Sequence, residues 1–267
     1  MKEKPTVTVI IPVFNSEKTL NRAIDSIFDQ TFKPTRLILI DDCSTDETYS
    51  QILSIPSIKN EIPITVIRNT KNLGPGISRN LGWDLAETTW IAFLDADDAW
   101  HPRKLEIQFK AIDANPNLDL ICTQTILKGP NSMLPVIEEF SEVQLISFRR
   151  MLFKNEIPTR SVVIRTNAPF RFPQGHSEDF ALWLQCLHGK LGVGKIKLPL
   201  SFHFRQEFSR GGLSSQLVVH ELYELRNILK YFFKKPMIVS VAIPYSFLKF
   251  LRRVAIKVLR SISSENI

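Results

Sequence analysis

The sequence predicts an α/β fold in which a mainly parallel sheet carries helices on both faces, followed by a basic helical extension. Three observations lead there. Four runs of strand length are rich in Val, Ile and Leu; each is followed by a segment with helical spacing or a helix-start signal; and each ends in Asp or Asn. Continuous apolar runs suit strands covered on both faces, and strand–helix alternation favours parallel pairing.

VTVIIPVF, residues 7–14, is the first strand. NSEKTLNRAIDSIFDQ follows, with Asn15 or Ser16 as cap and Leu20, Ile24, Ile27 and Phe28 on one helical face. RLILIDD (36–42) is the second strand, and Ser44 to Glu47 reads as a capping box opening a second helix. ITVIRN (64–69) is the third strand, GPGISRNLGWDLAE a glycine-led turn into a helix, and WIAFLD the fourth strand. Pro102, favoured at a first helical position, starts a helix through RKLEIQFKAIDAN. Beyond about residue 125 the pattern weakens. There SVVIR (161–165) reads as a strand, EDFALWLQCL (178–187) as a helix, KIKLPLSFHFR (195–205) as a strand pair and 217–233 as a helix.

Composition narrows the classes. With 44% hydrophobic residues the chain of 267 is globular. Its three cysteines, Cys43, Cys122 and Cys186, are odd in number and widely spaced, which fits neither a disulfide framework nor a zinc site and suggests a cytoplasmic protein. The N-terminal apolar run is short and broken by Pro12, so it reads as a strand and not as a signal peptide. Residues 218–267 hold nine Lys or Arg against three acids, +6 of the total +7, leaving the body nearly neutral. The basic balance is therefore no sign of nucleic-acid binding by the body. The apolar part of the tail is cut by Pro244 and is too short for a bilayer, which takes roughly 20 apolar residues.

Open α/β sheets bind ligands outside the carboxyl ends of their strands. Pro12 to Asn15, Asp41 and Asp42, Asn69 to Asn72, and Asp95 to Asp98 all fall at such ends. FLDADDAW places Asp95, Asp97 and Asp98 within four positions. Like charges at that spacing repel unless a cation joins them, and Mg²⁺ is usually held by one or two carboxylates plus substrate phosphates. The alternative is that Asp97 and Asp98 cap the helix at Pro102 while Asp95 faces water. An EF-hand is excluded because Trp100 stands where that loop needs glycine. No GxxxxGK[ST] or GxGxxG occurs, since Arg79 takes the place of the third glycine after Gly74 and Gly76.

VIIPVFN, ILIDDCSTDET, NLGPGISRNLG, FLDADDAW and SEDFALWLQ, in this order, resemble the inverting nucleotide-sugar glycosyltransferases of family 2, which have a GT-A fold. The resemblance spans roughly residues 6–205. It implies a catalytic domain over 1–215, with a donor-binding half to about 125 and an acceptor-side half from 126, and an amphipathic extension over 216–267. Asp95 and Asp97 match the family's DxD, whose acids contact the sugar or ribose and the Mg²⁺ or Mn²⁺ on the diphosphate, and Asp98 shares that work. Asp42, with Asp41, matches the acid that reads uracil; Pro12 and Phe14 match positions lining the base, although the family more often has tyrosine at the latter. Asn72 and Arg79 match N-x-G…R-N, whose arginine faces the nucleotide.

Glu178 and Asp179 match the family's catalytic pair, the aspartate being the base. Inversion needs a carboxylate within reach of the acceptor hydroxyl, on the face opposite the leaving diphosphate. Without the resemblance, the same pair reads as acid enrichment in a first helical turn. FHFRQEF supplies Arg205 as a donor residue, but Glu207 stands where relatives carry histidine; His203 and His220 are the candidates to substitute, and because a lone histidine is more often structural neither is given a metal role. The Gln-x-x-Arg-Trp signature of processive synthases is absent, implying one sugar per acceptor. The expected partners are a UDP-sugar, a glycan or lipid-linked glycan acceptor and, through the tail, an anionic membrane surface at the cytoplasmic face. The tail's other reading is a helix packed on the domain with solvated charges. Two rivals stand beside the enzyme: a silent nucleotide-sugar-binding or scaffold protein of the same fold, and a phosphohydrolase using Asp95. The latter is weakened because its nucleophile normally follows a first strand.

Overall fold

The computed structural model describes residues 4–129, 132–137, 142–204 and 217–264. The chain runs β1 (Val7–Val13), α1 (Leu20–Phe28), β2 (Arg36–Asp41), α2 (Thr48–Leu53), β3 (Ile58–Lys59), β4 (Ile62–Arg68), α3 (Pro75–Asp84) and β5 (Trp90–Phe93). Then come β6 (Asp98–Trp100), α4 (Lys104–Ala114), β7 (Leu120–Leu127), β8 (Gln144–Leu145) and α5 (Phe148–Phe153). A 3-10 turn (Thr159–Ser161), β9 (Val163–Arg165), α6 (Glu178–His188), β10 (Val193–His203), α7 (Leu217–Leu229) and α8 (Pro236–Ser264) complete the order.

The strands form one ten-stranded sheet in the order β3-β4-β2-β1-β5-β9-β7-β10-β6, with β8 beside β10. β4, β2, β1 and β5 are parallel, as are β7 and β10; β9 lies antiparallel between β5 and β7. Alternation along β1 shows how both faces are covered. Val7, Val9, Ile11 and Val13 join Leu20, Ile24, Leu105 and Phe109 on one side. Ile10 joins Trp83, Phe93 and Trp183 on the other. A strand buried on both faces has no polar side to show, which explains its unbroken apolar run. Gly82 lets α3 lie close on β1, since a Cβ there would stand 2.6 Å from Ile10 Cγ2.

Several local expectations are corrected. Ser44 to Glu47 is not a capping box: α2 begins at Thr48, and Ser44 Oγ instead accepts the Asn15 backbone N–H at 3.1 Å. Neither Asn15 nor Ser16 caps α1, whose N-cap is Thr19. Pro102 lies in the turn before α4, because Asp98 to Trp100 pair antiparallel with β10 and delay the helix. The predicted strand pair at 195–205 is one strand, β10, with register shifts on either side of Pro199, whose missing N–H interrupts the ladder.

The C-terminal helices pack on the domain. Ile228, Tyr231, Val239 and Ala242 are buried in the same cluster as Trp183. Their outer face keeps Leu222, Phe233, Met237, Val241 and Leu248 exposed. No described helix is long and apolar enough to cross a membrane.

Candidate active site

The site forms where β1, β2, β4 and β5 end, opposite the start of α6. β1 delivers buried Pro12 and then Phe14, which is 45% exposed. Asp41, at the end of β2, is fully buried, with its Oδ2 3.1 Å from Arg68 Nε and its Oδ1 accepting the Ser44 N–H at 3.3 Å. Asp42 accepts three hydrogen bonds: from Asn69 Nδ2 (2.7 Å) and the backbone N–H groups of Leu73 (2.9 Å) and Gly74 (2.8 Å). It thus shapes the loop between β4 and α3. Gly74 turns that loop with φ 85°, a conformation that suits glycine, and exposed Asn72 accepts the Gly74 N–H at 3.2 Å.

Arg79 is the central cation. Only 5% exposed on α3, it donates to Asp95 at 2.5 Å and to Glu178 at 3.5 Å. Residues 99 positions apart in the chain are thereby joined. Burial raises the Asp95 carboxyl pKa by itself, but the charges of Arg79 and Arg160 outweigh it and hold the acid below its usual range. Glu178 has the opposite balance: burial, then the charge of Asp179, push it up to about 7 although Arg79 pulls it down.

Asp98 lies at the start of β6, buried, with Arg160 Nη1 2.9 Å from its Oδ2. Burial dominates there and, with Asp95 and Asp97 nearby, pushes the Asp98 carboxyl up to about 9 despite Arg160. Asp97 is half-buried, and its carbonyl accepts Arg22 Nη2 at 2.6 Å. Asp98 therefore belongs to a strand and Asp97 to the turn before it, and neither caps α4. Asp179 accepts Thr159 Oγ1 at 3.4 Å through Oδ2 and its neighbour's N–H, that of Phe180, at 2.7 Å. Ser177, at φ 53°, makes the sharp entry into α6 and donates to the His220 carbonyl of α7 at 3.3 Å. Arg205 lies outside the described residues.

Sequence reasoning missed Arg160, Thr159 and Arg22. A single base or hydroxyl ahead of an apolar run carries no local signal, and these side chains meet the acids only through the sheet order.

A divalent cation fits this donor set. Among the described residues no three His, Cys, Asp or Glu side chains converge as a complete ligand cage. Mg²⁺ and Mn²⁺ need only one or two carboxylates when a diphosphate supplies further oxygens. Asp98 Oδ2 is buried with no hydrogen bond, Arg160 being close but not aligned for one, and Asp97 stands beside it.

Known proteins resemble the chain in sequence and in fold. The family model described as glycosyl transferase family 2 matches residues 8–173. The Escherichia coli protein WfaP, a UDP-Glc:α-D-GlcNAc-diphosphoundecaprenol β-1,3-glucosyltransferase, is 30% identical over 226 residues, 84% of this chain and 85% of its own length. Among solved structures, residues 1–349 of S. aureus TarS with UDP-GlcNAc superpose with a TM-score of 0.69 at 22% identity, over 91% of this chain and 72% of that one. The mannosyltransferase PcManGT of Pyrobaculum calidifontis, with GDP-Man and Mn²⁺, gives 0.65 at 16% identity over 99% and 81%. The fold is accordingly GT-A, and the chain belongs to glycosyl transferase family 2.

Proposed function

We propose that this glycosyltransferase moves a sugar from a UDP-sugar to an acceptor hydroxyl with inversion, using Mn²⁺ or Mg²⁺ at Asp97 and Asp98. The observation that carries the reading is Arg79, which binds Asp95 at the β5 end and Glu178 at the start of α6. Acids suited to a donor diphosphate and acids suited to an acceptor thus share one site.

In this reading Asp179 takes the proton of the acceptor hydroxyl as its oxygen bonds to the anomeric carbon and the carbon–diphosphate bond breaks. Thr159 orients the Asp179 carboxylate, and Arg79 holds Asp95 and Glu178 in place. The divalent ion, when bound, offsets charge developing on the leaving UDP. Asp41 and Asp42 with Pro12 and Phe14 form the base-binding side, and Asn72 and Arg205 complete the donor set. Uridine is supported by the UDP-Glc donor of WfaP and by the UDP-GlcNAc bound to TarS. The metal is supported by the donor set and by the Mn²⁺ held by PcManGT. The diphosphoundecaprenol acceptor of WfaP supports a lipid-linked glycan acceptor and a role in surface-polysaccharide synthesis.

The C-terminal helices suit a peripheral place at the cytoplasmic membrane face. Both acids described in α7 and α8, Glu221 and Glu224, are buried and paired with Arg253 or Lys249. The exposed face therefore offers bases such as Arg226, Lys230, Lys234 and Lys235 beside apolar Phe233 and Met237. That combination favours an anionic lipid surface.

Calorimetric titration with UDP, with and without Mn²⁺, tests the donor site. Binding is expected to require Mn²⁺ and to vanish in Asp97→Ala, while Asp179→Asn keeps it and loses sugar transfer. Full transfer by Asp179→Asn removes the base assignment, and a folded protein that binds no nucleoside diphosphate removes the donor reading.

A further inference from the structure

Arg160 occupies an unusual place for a positive charge. The 3-10 turn at 159–161 sets its guanidinium against the acid cluster, with Nη1 2.9 Å from Asp98 Oδ2 and Nε 3.9 Å from Asp95 Oδ2. Its backbone is held from behind, because Trp100 Nε1 donates to the Arg160 carbonyl at 2.7 Å. The preceding Thr159 bonds Asp179, so one short turn touches both groups of acids. Among the described residues, three guanidinium groups gather around Asp95, Asp97 and Asp98: Arg79 on Asp95, Arg160 on Asp95 and Asp98, and Arg22 on the Asp97 carbonyl. Arg79 is also shared with Glu178, and Arg22 is turned to the Asp97 carbonyl, whereas Arg160 stands in ion-pair distance of the Asp98 carboxyl itself.

We propose that Arg160 is a built-in counter-ion of the Asp95–Asp98 cluster that competes with a divalent cation for Asp98. The inference rests on the metal reading above and adds a consequence to it. While the Arg160 guanidinium stands against Asp98, a bare cation meets its positive charge and binds weakly. A nucleoside diphosphate brings its own negative charge and oxygen ligands, so cation and nucleotide bind as a pair. Arg160 sits 30% exposed at the edge of the cluster, where its charge is reachable by such a ligand.

The test is Mn²⁺ binding followed by electron paramagnetic resonance of the free ion, with and without UDP, in wild type, Arg160→Gln and Arg160→Lys. Wild type is expected to bind Mn²⁺ weakly alone and tightly with UDP. Arg160→Gln gains at least about tenfold in affinity for Mn²⁺ alone, the scale of one removed like charge a few ångströms away. Arg160→Lys keeps the charge and stays within about threefold of wild type, which separates a charge effect from a local repacking. Equal Mn²⁺ affinity of Arg160→Gln and wild type without UDP, with normal uptake when UDP is present, overturns this inference alone. Absence of Mn²⁺ uptake by folded wild type even with UDP overturns the metal reading and this inference with it.

Discussion

Replacing Glu178 by Gln should stabilise the protein at alkaline pH and leave it unchanged in acid. Glu178 packs on α3 where Gly76 has no side chain; a Cβ there would stand 2.6 Å from Glu178 Cγ. The buried carboxyl is pushed from 4.5 to about 7, burial being the larger cause and the Asp179 charge the next. The folded protein thus holds a proton that the unfolded chain releases at lower pH. The stabilisation from that proton is complete below about 4.5 and is lost as pH rises through about 7. The loss amounts to about 3 kcal/mol at pH well above 7, at about 1.4 kcal/mol per pH unit. Glutamine mimics the protonated acid at every pH and avoids the loss. For a chain of this length, unfolding entropy of about 0.56 kcal/mol per kelvin converts that to a Tm gain of about 5 °C. Differential scanning calorimetry of both proteins between pH 5 and 8.5 is the assay. The difference in Tm should be about a quarter of its full value at pH 5, rise between pH 5 and 7 and level off above about 7.5; a constant difference, or a fall in Tm at high pH, refutes the buried-acid reasoning.

Gly192→Ala should lower stability by about 1–3 kcal/mol, because the new Cβ would stand 1.9 Å from the Asn117 carbonyl oxygen, a backbone atom with no rotamer to change. A thermal melt should show Tm lower by about 2–5 °C, and an unchanged Tm would mean that the two backbones are not in that close approach. Reversing charge with Lys234→Glu and Lys235→Glu should reduce sedimentation with phosphatidylglycerol vesicles at least tenfold at low salt, each base near an anionic surface being worth roughly 1 kcal/mol. Binding that is indifferent to both substitutions and to salt would leave the exposed tail face without a lipid role.

The sheet and its helices were legible because their signals are local. An unbroken apolar run such as VTVIIPVF can be satisfied only by cover on two faces, and the spacing of Leu20, Ile24 and Ile27 can be satisfied only by a helix laid against it. The acids at the strand ends were legible for a related reason, since a parallel sheet brings its carboxyl ends to one rim whatever the lengths between them. Helix starts were less so. Ser44 and Pro102 carry favourable local chemistry, but tertiary partners, the Asn15 N–H and the pairing of β6 with β10, took precedence.

Thus the residues in order determined the fold class, the rim and the acids on it, because each rests on contacts or periodicity within a few positions of the chain. Only the tertiary structure decided which cation meets which acid. Arg79 reaches Glu178 across 99 positions, and Arg160 faces Asp98 because β9 is inserted antiparallel between β5 and β7. Charge pairing in a buried site depends on distances of a few ångströms and on loss of water, and neither quantity is written in the spacing of residues along a chain.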